Sequence, residues 1–370
     1  MRRVALLLML SATAGVGAGQ QPDLLTRARA LHRQTPLIDG HNDYPWALRQ
    51  HDARRDLAAL DISIPQPGIH TDIPRLRAGG VGGQFWSVYI PVETEGPAAI
   101  RATLEQIDIV HRMAARYPDT FGLATSAADV ERIFKSGRIA SLIGMEGGHS
   151  IDGSLAALRM FHQAGARYMT LTHSANVPWA DSGTDTPRSQ GLSTFGEEVV
   201  REMNRLGMLV DLSHTSPDTM DDALRVSEAP VIFSHSDARA LHDHRRNVPD
   251  GILRRLPANG GVVMVTFVPG FLTAGGKATL ADVAAHMDHV RRVAGPDHVG
   301  IGSDFDGIET VPAGLEDVSK YPALTAELLR RGWPEQDVRK ALGLNVLRVM
   351  RRAETVAARL QKERPPSLEP

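Results

Sequence analysis

Apolar residues gather in short runs at intervals along the chain, while the segments between them carry apolar residues three and four positions apart. The runs lie near Leu37-Ile38, Phe85 to Ile90, Ile139 to Ile143, Tyr168 to Leu171, Met208 to Leu212, Val231 to Phe233, Gly261 to Phe267 and His298 to Gly302. Each reads as a β-strand. Between most of them a helical pattern runs over Ala98 to Arg116, Ser126 to Ser136, Ser154 to Ala164, Phe195 to Leu206, Ser216 to Val226 and Ala281 to Ala294. Strands alternating with amphipathic segments predict parallel pairing through crossovers, and the economical closure is an α/β fold of the (β/α)8 TIM-like barrel type. Two extra C-terminal helices, roughly Leu315 to Arg331 and Glu335 to Leu360, are expected on the outside. A doubly wound open sheet uses the same alternation, but it gathers its site at one switch point. Here polar candidates follow nearly every strand, as around a barrel mouth.

Two stretches rich in Pro and Gly, Tyr44 to Gly83 and Ala175 to Ser193, fall on the same side as those polar residues and are expected to be irregular walls of a pocket. No repeat or linker divides the chain, so residues 20–370 are expected to form a single catalytic domain with a polar tail from Gln361. Residues 1–19 carry Met1-Arg2-Arg3, an apolar run from Val4 to Leu10 and small residues to Gly19, the pattern of a secretory signal peptide. Export to a periplasmic or extracellular space is the expectation. No stable membrane anchor is expected, since the apolar part of the leader is shorter than the roughly 20 residues a membrane-spanning helix needs and no later run is longer.

Composition then narrows the chemistry. The 370 residues carry a formal net charge of −2 and no long basic block, which argues against nucleic acid as a partner. Cysteine is absent, so any zinc must be held by imidazole and carboxylate. Five such residues stand at or just past strand ends: His41, Asp43, Glu146, His214 and His235. Two zinc ions bridged by one carboxylate would account for all five. In His41-Asn42-Asp43 the first and third side chains leave an extended backbone on the same side, and His214 and His235 follow consecutive strands. His173, Arg246 and Asp304 stand near them as further candidates.

Other motifs carry less. Gly79 to Gly83 lacks the Lys-Ser/Thr of a phosphate cradle and reads as a βα turn. Asp304 to Gly307 opens like a calcium loop, but its closing position would be Leu315. His286 with His289, and His242 with His244, are expected to be solvated helix and loop residues. His149 stands beside Glu146 and is left outside the ligand set.

Six motifs, in order, resemble the membrane (renal) dipeptidase family of zinc peptidases: His41-Asn42-Asp43-Tyr44-Pro45, Glu146-Gly147-Gly148-His149, Leu171-Thr172-His173-Ser174-Ala175-Asn176, Asp211-Leu212-Ser213-His214, Arg245-Arg246-Asn247-Val248-Pro249-Asp250 and Gly302-Ser303-Asp304-Phe305-Asp306-Gly307. The likeness runs from about residue 32 to about residue 350 and includes Gly314 to Pro322. It implies a barrel of the metal-dependent hydrolase type, with His41 and Asp43 on one zinc, His214 and His235 on the other, and Glu146 bridging. It also implies that His173, Arg246 and Asp304 contact a dipeptide, that D- or dehydro-residues and in some members β-lactams are accepted, and that the chain is a homodimer.

The chemistry of these residues agrees. A hydroxide between two zincs is a nucleophile near neutral pH. His173 would help take the charge on the carbonyl oxygen, Asp304 would carry the proton to the leaving amine, and Arg246 would clamp the free C-terminal carboxylate. The alternatives are another binuclear-metal amidohydrolase acting on a lactam, lactone or phosphoester, and a non-catalytic zinc-dependent binding protein.

Overall fold

The computed structural model describes residues 23–368, and the leader expected at residues 1–19 lies outside them. Nine strands form one parallel sheet: β1 (Leu37–Asn42), β2 (Val81–Ser87), β3 (Phe121–Leu123), β4 (Ile139–Glu146), β5 (Ala166–Thr170), β6 (Leu209–Asp211), β7 (Ile232–Phe233), β8 (Val262–Val265) and β9 (Val299–Ile301). Because β2 pairs with β4 and β1 pairs with both β2 and β9, eight of them close into a ring. The ninth, β3, lies beside the first half of β4, and β5 takes the second half of the same edge. The protein is therefore a closed eight-stranded parallel barrel with helices around it.

Alternation along the strands sorts the core into layers. Ile38, Phe85, Leu142, Tyr168, Leu209, Ile232, Val262 and Met264 belong to one buried cluster drawn from seven strands, which only the barrel interior can bring together. Their neighbours Leu37, Trp86, Ile143, Met169, Val210, Phe233 and Val263 belong to the layer shared with the outer helices.

The final helix departs from its expected place on the outside. Val346, Leu347, Met350, Val356 and Leu360 of the helix Asn345–Glu363 join the interior cluster, as do Val130 and Ile133 of the helix Ala127–Lys135. These two helices plug the base of the barrel. The turn before the last helix depends on a residue without a side chain, because a Cβ at Gly343 would overlap the Pro36 carbonyl at the start of β1.

The stretch from Tyr44 to Gly83 is more regular than expected. It holds the helices Tyr44–His51 and Ile73–Gly79, each with a proline in its first turn, before β2 begins. Asp72 caps the second by accepting from the Arg75 amide at 2.8 Å. Of Gly79 to Gly83, Gly79 ends that helix, Gly80 makes the turn with left-handed φ 67°, and Val81 to Gly83 begin β2, so the turn is an αβ turn and not a βα one.

The interior leaves no slack beneath the mouth. A Cβ at Gly144 of β4 would overlap the ring of Tyr168 on β5. Gly144→Ala is expected to lower stability by about 1–3 kcal/mol, read as a lower midpoint in urea denaturation at unchanged slope.

Candidate metal centre

The candidate ligands and substrate-contacting residues lie at the end of the barrel where the strands finish. His41 is within β1 and Asp43 follows it; Glu146 ends β4; His173, His214, His235 and Asp304 stand two or three residues beyond β5, β6, β7 and β9. Pairing of β1 with the β9 side continues past the strand ends. The Asp304 amide donates to the His41 carbonyl at 3.1 Å, and the Asp43 amide donates to the Phe305 carbonyl at 2.9 Å. Those two bonds carry Asp304 to His41 and Asp43.

The side chains converge on Glu146. Its Oε1 lies 3.0 Å from His214 Nε2, 3.4 Å from His235 Nε2 and 3.7 Å from His173 Nε2. Its Oε2 faces the other way, 3.4 Å from His41 Nε2, which is also 3.3 Å from Asp43 Oδ2 and 4.0 Å from Asp304 Oδ1. Ligand atoms therefore gather in three groups, each within 4.8 Å: His41, Glu146 and His235; Glu146, His173 and His214; and His41, Asp43 and Asp304. By distance alone, His173 and Asp304 stand with the other five. Exposure separates part of the set: His41 and His235 are sealed beneath the floor, whereas His173 and Asp304 line the open cavity.

The donor set fits zinc. Two atoms bonded to one tetrahedral zinc at about 2.0–2.2 Å stand about 3.3–3.6 Å apart, which matches the His41–Asp43, His41–Glu146 and His235–Glu146 separations. His214 Nε2 and His235 Nε2 face each other at 2.9 Å, and His41 Nε2 is buried with no hydrogen-bond partner despite two carboxylate oxygens nearby. A cation shared among these nitrogens and carboxylate oxygens would satisfy them together.

Charge in the site points the same way. Burial depresses His214 and His235 well below the usual imidazole range, with Arg246 and His173 adding to it at His214 and His41 at His235. Both are therefore held in the neutral form a metal ligand needs. Burial alone would raise Glu146, yet His41, His173, His214 and His235 override it and hold the carboxyl well below its ordinary value. Burial, reinforced by Asp43 and Glu146, pushes Asp304 well above the carboxylate range against the pull of His41 and Arg246. His41 is driven upward despite its burial by Tyr168, Glu146 and Asp43, so its Nε2 is where the site draws positive charge, whether a proton or a metal ion.

Residues behind the mouth set the direction of these ligands. Tyr168 lies 2.8 Å from His41 Nδ1 and donates its hydroxyl proton to the Gly40 carbonyl at 3.2 Å, so Nδ1 carries the imidazole hydrogen and Nε2 presents its lone pair. Ser234 does the same for His235: its Oγ is 2.8 Å from Nδ1 and donates to Asp211 Oδ2 at 2.6 Å. Asp211 also accepts from Thr170 Oγ1 and from the amides of Ser213 and Ser234, tying three strand ends to one carboxylate. Asp39 serves β1 and β9 likewise, accepting from the His41 and Ser303 amides and from the Ser303 and Tyr321 hydroxyls.

The sequence reading missed these supports. The available signal was an acid two or three residues before a candidate histidine, in Asp39-Gly40-His41 and Asp211-Leu212-Ser213-His214. His214 and Asp304 both hold left-handed backbone, at φ 67° and 68°, a conformation costly for residues other than glycine. Gly307 is required beside them, since a Cβ there would overlap carboxylate oxygens of Asp43 and Asp304.

The remaining histidines fall outside the site. His149 joins none of the three ligand groups; its Nε2 pairs with the Ile90 carbonyl at 3.1 Å, and burial lowers its pKa. His286 and His289 are buried, not solvated as expected. His286 accepts from the Ala238 amide and reaches the Leu272 carbonyl, and His289 pairs with Asp250 at 2.7 Å. They hold the helix Leu280–Ala294 against the barrel.

Above Glu146 lies a cavity of about 330 Å³. Trp46 and Tyr89, edge to face at 5.0 Å, form one wall; Val268, Phe271 and Ile308 contribute the apolar part of the rest. Arg246 enters from the loop after β7. Its guanidinium is 5.3 Å from the centre of the Phe271 ring, and the residue is 4% exposed. Burial lowers its pKa against the pull of Asp304 and Glu146, and no carboxylate makes an ion pair with it among the described residues.

A barrel with imidazoles and carboxylates converging at the strand ends defines a metal-dependent hydrolase, here a zinc metallopeptidase. Comparison with known proteins gives the particular family. The family model Membrane dipeptidase (Peptidase family M19) matches residues 25–364, and the chain belongs to that family. It is 47% identical over 356 residues to dipeptidase 3 of Macaca fascicularis, covering 94% of this chain and 71% of that one. Against dipeptidase 3 of Rattus norvegicus it is 48% identical over 342 residues, 90% and 68% of the two chains. Among solved structures it is similar to a Rhodobacter sphaeroides metallopeptidase liganded with a phosphinate mimic of L-Ala-D-Ala. Identity there is 29% and the TM-score 0.77, over 86% of this chain and 99% of that one. A second, dipeptidase AC, is 30% identical with a TM-score of 0.78, over 86% and 98%.

Tyr168→Phe removes the oxygen that orients His41 and leaves Nδ1 unpaired. Metal affinity is expected to fall about 10–100-fold, measured as zinc lost during dialysis against graded chelator, with the thermal midpoint of the metal-free protein changed little.

Proposed function

We propose that the cavity hydrolyses dipeptides with a free C-terminal carboxylate. His41 and Asp43 would hold one zinc, His214 and His235 the other, with Glu146 between them. The observation that carries this reading is Arg246: a buried guanidinium without a carboxylate partner, in the wall of the same cavity that exposes Glu146, His173 and Asp304. A buried cation of this kind is satisfied by an anion that arrives with the substrate. Two zincs, when bound, supply a water whose pKa falls from about 15.7 towards 7 and hence a nucleophile near neutral pH.

The chain's own residues account for the rest. Arg246 would clamp the substrate carboxylate through parallel hydrogen bonds, a geometry the guanidinium fork matches. A clamp in the wall of a 330 Å³ cavity limits the distance from the chain terminus to the scissile bond, which selects dipeptides. His173 is kept neutral by burial, with Arg246 and His149 assisting against Glu146, so its Nε2–H tautomer would donate to the carbonyl oxygen as charge develops there. Asp304, with its pKa held up by burial and by Asp43 and Glu146, would accept the proton from the attacking water and return it to the leaving amine. The phosphinate mimic of L-Ala-D-Ala bound by the Rhodobacter sphaeroides relative supports dipeptides as the substrate class.

Metal analysis of the purified protein is expected to find close to two zincs per chain, and chelation to abolish dipeptide cleavage until zinc is restored; full activity in a verified metal-free sample would overturn the reading. Arg246→Ala is expected to cost a free-carboxylate dipeptide about 2–5 kcal/mol in kcat/KM, and an amidated analogue far less. Equal losses on the two substrates would remove the clamp.

A further inference from the structure

A second concavity, of about 430 Å³, opens at the other end of the barrel, where β2 and β4 begin. Four arginines line it: Arg29 and Arg33 from the helix Leu24–Gln34, Arg77 from the last turn of Ile73–Gly79, and Arg138 just before β4. Phe134 and Pro322 lend it an apolar surface. None of the four arginines makes an ion pair with a carboxylate among the described residues, and no acid lines the cavity. Arg75 pairs with Asp72, Arg201 with Glu197 and Glu198, and Arg331 with Glu327 and Asp288, whereas Arg101, Arg188 and Arg245, like these four, make no ion pair among the described residues; what sets the four apart is that they face one concavity.

Arg77 and Arg138 are held in place by the turn they share. Arg77 donates to the Asp119 carbonyl and Thr120 Oγ1, and Arg138 to Ser136 Oγ and the Pro118 carbonyl, which leaves each with unspent donors. Arg29 and Arg33 make no side-chain hydrogen bond or ion pair with any described residue. They are one turn apart on a helix, where like charges repel and destabilise it. His32 between them adds no charge: its ring nitrogens contact the Gly79 carbonyl and Thr325 Oγ1, and burial lowers its pKa to about 4. The concavity is thus a cluster of permanent cations with an apolar surface and no anion of its own.

We propose that this basal cavity is a binding site for a phosphate ester carrying an apolar or aromatic group. Guanidinium forks match phosphate oxygens in pairs, Phe134 and Pro322 suit an apolar substituent, and the volume is that of a small-molecule site. The site stands at the strand starts and the catalytic cavity at the strand ends, so an occupant here leaves the cleft open.

Calorimetric titration of the zinc-loaded, full-length enzyme with phenyl phosphate is the test. Saturable binding is expected, weakened at least about tenfold in Arg29→Gln/Arg33→Gln, a double variant that breaks no side-chain hydrogen bond or ion pair among the described residues and should hydrolyse dipeptides normally. Inorganic phosphate, lacking the ring, is expected to bind about tenfold more weakly than phenyl phosphate. Absence of saturation up to roughly 10 mM would overturn the proposal. So would equal binding by the double variant, which would place the phosphate in the catalytic cleft, or benzoate binding as tightly as phenyl phosphate, which would make carboxylate the ligand class.

Discussion

Three carboxylates and four imidazoles crowd one barrel mouth, with His41, Asp43, Glu146 and His235 buried and His173 and Asp304 facing the cavity, and such crowding is relieved where positive charge is shared among them. Asp43, Glu146 and Asp304 press on one another through His41, and their pKa values are forced apart: Glu146 far down, Asp304 far up. This crowding is unfavourable in a low-dielectric site without a cation and favourable with one. The same conflict that suits the site to a metal ion also holds one acid, Asp304, well above the usual carboxylate range. The scaffold exists to hold these groups closer together than they would choose.

Much of that holding is done one layer back. Asp39 and Asp211 each gather amides and hydroxyls from neighbouring strand ends, while Tyr168 and Ser234 fix the tautomers of His41 and His235. The packing beneath them is tight, with Gly144 admitting the Tyr168 ring and Gly307 admitting two carboxylates. Two helices seal the base, so the interior is a solid plug and not a channel. A rigid floor lets His214 and Asp304 keep left-handed backbone conformations that a looser structure would relax.

Strands of the ring were legible because both of their faces are covered, which makes even short segments read as apolar runs. Long surrounding helices were legible from their spacing. The three-residue β3 was not, since only Phe121 of its three residues is buried and no apolar run results, and its place exists only because β4 has a free half-edge. The helices Tyr44–His51 and Ile73–Gly79 hid among prolines that in fact occupy their first turns. His286 and His289 read as solvated because a helix pattern does not reveal which neighbour will cover it.

Alone, the sequence determined the alternating architecture and the identity of the groups at the strand ends, because strand period and ligand chemistry are properties of residues and spacing. It also carried six family motifs. Tertiary structure decided what spacing cannot: that Glu146 turns one oxygen towards His214 and His235 and the other towards His41, and that Arg246 is buried without a carboxylate partner. It likewise decided that four arginines distant in the chain share one basal cavity. Each of these depends on ring closure, which joins residues hundreds of positions apart and leaves no local trace in any of them.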